Sequence, residues 1–386
     1  MKFCLRLLLS CLLTFATLGS NSTFAQDDEF KSEVIVAGLN NPCGVAIQPG
    51  TNHLFVSDSG NNRVVRILDG KAISVITGFP SQTFGRNPEF KIGPLGMLFL
   101  DKDTLVVGGG GNPDGEDLVR VYKVPAVGEP SISADKMVSG LVLKSEGSVV
   151  GEGDFFGLAK SAKGLYVTCN GDDAKAWIAK ADIAGTEVKN FQRHIATKEL
   201  TGANAPNGIT FSPEGYLVVS HIGKTRTQAD SLLAFYNERG DFLDKFPTGL
   251  YDITAVAYGP KKKRLFALDF SYADNSKGGL FKLIETSGDE GCRAVKIIGL
   301  DKPTAMVFDS LGNLYVTAFG SKQTEEQKRA ARKNAEQEAR EKARMATGGG
   351  LDFGNEEESD EPEEEDDEPK YFGKLIKIFD VDKASK

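Results

Sequence analysis

The sequence predicts an all-β chain: a six-bladed β-propeller closed by its N-terminal strand, with a helical and acidic insertion in blade six. Three observations carry this: a motif repeated six times, further strand-like runs inside each repeat, and an N-terminal strand pattern that the last repeat lacks. Gly44-Val45-Ala46-Ile47 precedes Leu54-Phe55-Val56-Ser57-Asp58, Gly96-Met97-Leu98-Phe99 precedes Leu105-Val106-Val107, and Gly157-Leu158-Ala159 precedes Leu165-Tyr166-Val167-Thr168. Gly208-Ile209-Thr210-Phe211 precedes Leu217-Val218-Val219-Ser220, Ala255-Val256-Ala257-Tyr258 precedes Leu265-Phe266-Ala267, and Ala305-Met306-Val307-Phe308 precedes Leu314-Tyr315-Val316-Thr317. The anchor leucines at 54, 105, 165, 217, 265 and 314 are 51, 60, 52, 48 and 49 residues apart. Fixed-period self-similarity of this kind marks a repeat architecture.

Each unit continues with apolar, β-branched runs broken by Gly, Pro, Asn and Asp, the pattern of short strands and turns. Arg63-Val64-Val65-Arg66-Ile67, Leu118-Val119-Arg120-Val121-Tyr122, Leu232-Leu233-Ala234-Phe235 and Leu280-Phe281-Lys282-Leu283 supply third strands. Val75-Ile76-Thr77-Gly78, Met137-Val138-Ser139-Gly140 and Ile297-Ile298-Gly299 supply fourth strands. Four strands per roughly 50 residues make one propeller blade. The last unit ends at Leu375-Ile376-Lys377-Ile378-Phe379 without a fourth strand, whereas Val34-Ile35-Val36-Ala37-Gly38 has that pattern and no blade of its own. Pairing the two closes the ring and removes an open edge that would template association.

The remaining segments divide the chain into 1–25, 26–319, 320–370 and 371–386. Residues 1–25 read as a signal peptide, with Lys2 and Arg6, an apolar run from Leu7 to Leu18, and Thr23-Phe24-Ala25 before Gln26. A secreted or periplasmic location follows. The apolar run is shorter than the ~20 residues of a spanning helix, so no transmembrane segment is expected, and too little apolar sequence precedes Cys11 for a lipoprotein signal. The mature chain keeps Cys43, Cys169 and Cys292, an odd and scattered set that forms no disulfide framework. In the insertion, Lys322 to Arg344 is Ala/Glu/Lys/Arg-rich with Glu325–Arg329, Glu336–Arg340 and Glu338–Lys342 spaced i,i+4, which predicts a solvated helix. Gly348-Gly349-Gly350 ends it, and the low-complexity acidic stretch from Asp352 to Glu368 holds twelve acidic residues and no basic one. Such a composition does not order itself and reads as a spacer or as a contact for a basic partner. Without that stretch 42 acidic residues face 46 basic ones, so the fold itself is near neutral and has no large basic field for nucleic acid.

Gly38-Leu39-Asn40-Asn41-Pro42-Cys43-Gly44-Val45-Ala46, followed by Leu54-Phe55-Val56-Ser57-Asp58-Ser59-Gly60-Asn61-Asn62-Arg63-Val64-Val65-Arg66-Ile67, resembles a full NHL repeat. Ala205-Pro206-Asn207-Gly208-Ile209 with Phe211-Ser212-Pro213-Glu214-Gly215-Tyr216-Leu217 is similar both to NHL repeats and to gluconolactonase/regucalcin-like propellers. The resemblance implies a six-bladed propeller hosting lactonases, esterases or plain binding proteins. It further implies a divalent cation held near the channel mouth by Glu, Asn and Asp. Asn207 matches the Asn of that set, while Cys43 stands at the position of the Glu and Thr254 at that of the Asp.

In a propeller, the residue before each innermost strand lines the channel mouth: here Cys43, Leu95, Phe156, Asn207, Thr254 and Thr304. The ends of the second strands frame the same mouth, so Asp58, His221 and Asp269 are expected to reach the ring. An imidazole titrating near pH 6.5 beside a carboxylate is a candidate general base, which makes His221 and Asp269 the catalytic candidates. The first functional expectation is a binding module that recognises a protein, peptide or small ligand through Asn207, Thr254, Thr304, Asp58, Asp269 and His221 with the upper loops. The alternative is a metal-dependent lactonase- or esterase-type hydrolase, with Ca²⁺ or Zn²⁺ on Asn207. A second alternative is a structural envelope protein that makes contact through the charged insertion.

Overall fold

The computed structural model describes residues 30–85, 89–224, 228–286, 291–321 and 371–383. The signal segment, the helix expected over Lys322 to Arg344 and the acidic stretch lie outside the described residues. Six antiparallel sheets follow one another along the chain, each running from the channel outward. Blade one is Gly44–Ile47, Leu54–Asp58, Arg63–Leu68 and Lys71–Thr77; blade two is Pro94–Phe99, Thr104–Gly109, Val119–Lys123 and Ser139–Leu141. Blade three is Leu158–Ser161, Gly164–Thr168, Trp177–Ala184 and Glu187–Ala196; blade four is Pro206–Phe211, Leu217–His221, Leu232–Tyr236 and Phe242–Pro247. Blade five is Ile253–Tyr258, Leu265–Asp269, Gly279–Glu285 and Cys292–Gly299. Blade six takes Pro303–Phe308, Leu314–Ala318 and Gly373–Ile378 from the C-terminal part and Ser32–Leu39 from the N-terminus.

The closing pair runs antiparallel from Ser32 opposite Ile378 to Leu39 opposite Gly373. No helix among the described residues is long and apolar enough to cross a membrane.

The core is distributed between blades. Phe55 and Val64 of blade one pack with Leu105 and Tyr122 of blade two, and Val106 and Val121 of blade two pack with Leu165 and Val167 of blade three. The same wedge recurs at every junction, the last joining Val36 and Leu39 to Val45, Val56 and Leu375. Each Leu- or Phe-sized side chain buried this way contributes about 1.5–3 kcal/mol, so the ring is held by junctions that no single blade could form alone.

The repeated glycine has a packing cause. A Cβ on Gly44 would lie 2.2 Å from Leu95 O, on Gly96 2.0 Å from Phe156 O, and on Gly157 2.2 Å from Asn207 O. Neighbouring innermost strands therefore touch through glycine, backbone against backbone.

Two details differ from the sequence reading. The fourth strand of blade two is only Ser139–Leu141, because residues Ala134–Lys136 form a short 3-10 turn; Ile132–Ser133 instead adds in parallel to the outer edge of blade one. Between blades one and two the chain also makes a separate hairpin, Gln82–Phe84 with Phe90–Ile92. Its alternation is too short to stand out among the repeats.

Candidate functional site

Five of the six ring positions, Cys43, Phe156, Asn207, Thr254 and Thr304 among them, line one cavity of about 90 Å³ in the channel; Leu95 is buried beside it and does not line it. Most of the ring's polar atoms are engaged. Thr254 Oγ1 donates to Pro303 O at 2.9 Å, and Thr304 Oγ1 to Pro42 O at 2.6 Å. From the second strands, Ser57 Oγ donates to Leu95 O at 2.6 Å and Thr168 Oγ1 to Asn207 O at 3.0 Å. These hydroxyls stitch one innermost strand to the next. The sequence signal for the stitch is Ser or Thr three residues after the anchor leucine at 57, 168 and 220; at 317 the same hydroxyl bonds within its own blade, to Thr304 and Ala305.

Asn207 is the exception. It is 4 % exposed, lines the cavity, and among the described residues its carboxamide makes no hydrogen bond. Cys43 donates its thiol to Asn41 O at 3.3 Å, and burial pushes that thiol up to about 12, so it stays protonated.

The structure places Asp58, His221 and Asp269 at the ends of second strands, as expected, yet outside the cavity lining. Asp58 accepts Asn40 N at 2.7 Å and Arg63 Nε at 2.7 Å. Asp269 accepts the backbone N–H groups of Tyr251, Asp252 and Ser271 at 2.9–3.0 Å. Both carboxylates thus fasten the loop that leads into their own blade's innermost strand. His221 is fully buried with Nδ1 3.4 Å from Asn204 O, and burial lowers its pKa to about 4, which leaves the ring neutral at physiological pH. A base so far below neutrality is poorly matched to general-base work.

Above the ring, the hairpin lays Phe90 into a cluster with Phe270 and Tyr272 after blade five's second strand and Phe319 after blade six's. Cys43, Leu95 and Phe156 form its floor. The Cys43, Leu95 and Phe156 side of the mouth that the sequence suggested as a ligand site is therefore covered by aromatic side chains.

Beside this plug lies Asp154, which sequence reasoning missed because it stands two residues before the ring position. Burial, with Asp117 and Asp114 nearby, pushes its carboxyl up to about 7, and Gln82 Nε2 donates to its Oδ1 at 3.0 Å. Asp154 does not line the cavity that holds Asn207, so the two groups do not converge on one reacting atom.

The divalent cation implied by the resemblance finds a poor donor set. Ca²⁺ takes six to eight oxygens, usually with carboxylates, and Zn²⁺ takes deprotonated or neutral N/S donors. The ring offers one carboxamide, two hydroxyls bonded to carbonyls and a protonated thiol. Among the described residues no group of three His, Cys, Asp or Glu side chains could hold a metal.

No family model matches the chain, and no curated protein matches it. Among solved structures it is similar to a glucose dehydrogenase, at 15% identity over 74% of this chain and 95% of that one, with a TM-score of 0.50. It also aligns with a gluconolactonase from Xanthomonas campestris at 14% identity over 78% and 90% of the two chains, TM-score 0.48. A soluble aldose sugar dehydrogenase from Escherichia coli aligns at 13% identity over 74% and 95%, TM-score 0.49. Identities this low speak to architecture alone. With six radial sheets and a closing N-terminal strand, the chain is a six-bladed β-propeller.

Proposed function

We propose that this chain is an exported, non-catalytic binding module that recognises a protein or peptide with the face carrying the channel mouth and its loops. The observation that carries the reading is the aromatic cover on the mouth: Phe90 and its aromatic neighbours pack over Cys43, Leu95 and Phe156, half of the ring through which a propeller enzyme would admit substrate. The cavity left beneath, about 90 Å³, is well below the roughly 300–1,000 Å³ of a small-molecule pocket. The chemistry agrees, since the ring's hydroxyls hold the blades together and its thiol stays protonated. Export rests on the reading of residues 1–25.

The test is turnover of a panel of sugar lactones and aryl esters by the mature chain, with and without added Ca²⁺ or Zn²⁺, alongside Asn207→Ala. The expected result is no turnover above background. Turnover that Asn207→Ala abolishes while the melting temperature holds would refute the reading in favour of the hydrolase.

A further inference from the structure

We propose that Lys302 and Asn275 form an intramolecular isopeptide bond, an amide between the lysine Nζ and the asparagine Cγ made with loss of ammonia, which ties blade five covalently to the entrance of blade six. Such a bond is a modification of the chain itself, whatever the channel mouth binds.

The groups that the bond needs meet at one junction. Lys302 Nζ donates to Asn275 Oδ1, so the amine rests against the carbonyl whose carbon it attacks. On the other side of the same carboxamide, Asn275 Nδ2 donates to Ser321 Oγ at 3.3 Å, and Ser321 Oγ donates in turn to Asp301 Oδ2. Asn275 follows the second strand of blade five, Asp301 and Lys302 lead into the innermost strand of blade six, and Ser321 follows the second strand of blade six. Nucleophile, carbonyl and leaving amine are thus held together by the fold, which is what makes an intramolecular attack efficient.

The lysine is placed as a nucleophile and not as a surface cation. It is 6 % exposed. A buried lysine ordinarily has a carboxylate partner, yet among the described residues this one makes no ion pair. Its Nζ rests instead on the Asn275 carbonyl and 5.7 Å from the Phe270 centroid. Burial lowers its pKa, against the pull of Asp301 and Asp252, and so raises the share of neutral amine, the form that attacks. Its backbone stands at φ 53°, a left-handed conformation uncommon outside glycine and kept where the surrounding structure imposes it. Here Phe319 N–H donates to Lys302 O at 3.0 Å and Gly320 N–H to Asp301 O at 3.2 Å.

The step balances without an outside reagent. The Nζ–Cγ bond forms as the neutral amine gives up one hydrogen, the Cγ–Nδ2 bond breaks, and Nδ2 leaves as ammonia with one hydrogen added. The Asp301 carboxylate takes up the proton from Nζ while Ser321 Oγ passes one to Nδ2, a relay that leaves both groups as they began. Asn275 is exposed, so ammonia has a way out.

The experiment is peptide mapping of the mature full-length chain by mass spectrometry after denaturation and trypsin. Trypsin releases residues 265–277, which contain Asn275, and residues 297–322, in which Pro303 protects the bond after Lys302. The expected result is one species joining the two peptides, lighter than their sum by one ammonia, whose fragments place the link between Asn275 and Lys302. Lys302→Arg and Asn275→Ala should each abolish it. Asn275 is exposed, so Asn275→Ala decides should Lys302→Arg fail to fold. Ser321→Ala should slow the appearance of the linked species after cell-free synthesis by about a hundredfold, the lower end of what a positioned proton relay contributes. Two separate peptides at their sequence masses in wild type, or a linked species that survives Asn275→Ala, would overturn the bond. An unchanged rate in Ser321→Ala would overturn the relay.

Discussion

Truncation of Leu39 tests ring closure most sharply, because neighbouring positions of one strand should respond very differently. Leu39 is 1 % exposed and Val36 7 %, both packed against Val45, Val56 and Leu375, whereas Val34 on the same strand is 53 % exposed. Leu39→Ala removes a fully buried side chain from the junction of blades six and one and should cost about 2–5 kcal/mol, the range for such core truncations. Val36→Ala loses two buried methyls and should cost about 2 kcal/mol at roughly 0.8 kcal/mol each plus a small cavity term. Val34→Ala should stay within about 0.5 kcal/mol, as surface changes do. The assay is urea denaturation followed by near-UV circular dichroism, comparing midpoints at constant slope so that stability is separated from changes in the unfolded state. If the N-terminal strand did not complete blade six, all three substitutions would sit on a loose tail and their midpoints would coincide. Equal midpoints for Leu39→Ala and Val34→Ala would therefore refute closure and, with it, the geometry of the ring.

Two further outcomes follow from the same structure. Thr304→Val keeps the shape of the side chain but leaves Pro42 O without the 2.6 Å bond, so it should destabilise the chain by about 1–3 kcal/mol in calorimetry with the blade content of the far-UV spectrum unchanged. The Asp154 carboxyl is raised to about 7 in the folded chain, above its value in the unfolded one; the folded state then holds the extra proton, and stability falls as pH rises from about 4 to 7. Asp154→Asn should remove that component, so its melting temperature should gain on wild type as pH climbs through this window. Buried His221, lowered to about 4, acts with the opposite sign between about 4 and 6.5, and only the wild-type-minus-variant difference isolates Asp154. A difference that stays flat with pH would show that Asp154 is not held protonated.

The propeller was legible because its physics repeats. Each blade needs the same apolar alternation to wedge against its neighbours, which left six copies in the chain, and the close approach of innermost strands demands glycine at 44, 96, 157 and 208, with alanine standing at 255 and 305. Closure was legible for the same reason, as a strand missing from one end and spare at the other. The ring positions followed from strand order alone, and all but Leu95 line the cavity. The fates of Asp58, His221 and Asp269 were not legible. Whether a carboxylate at a strand end turns toward the channel or back to its own loop is decided by nearby N–H groups, and the three donors around Asp269 come from residues up to 18 positions away.

The hairpin escaped notice because it occurs once, yet the ring composition carries its trace. Blades one to three place Cys43, Leu95 and Phe156 at the mouth, and blades four to six place Asn207, Thr254 and Thr304 there. A channel mouth open to water on all sides has no reason to be apolar through half its circumference, since exposed apolar surface is unfavourable and there is polar surface to replace it. The apolar half becomes reasonable once Phe90 rests on it: all three residues belong to the aromatic cluster. The same contact makes a carboxylate at position 43 unfavourable, because a charged side chain beneath a phenyl ring would be buried without a partner. Plug and ring chemistry therefore constrain each other. Cys43→Glu, which places a carboxylate beneath Phe90, should therefore dislodge the hairpin, read as protease cleavage within residues 79–93 that wild type resists; equal resistance of the two would refute the contact.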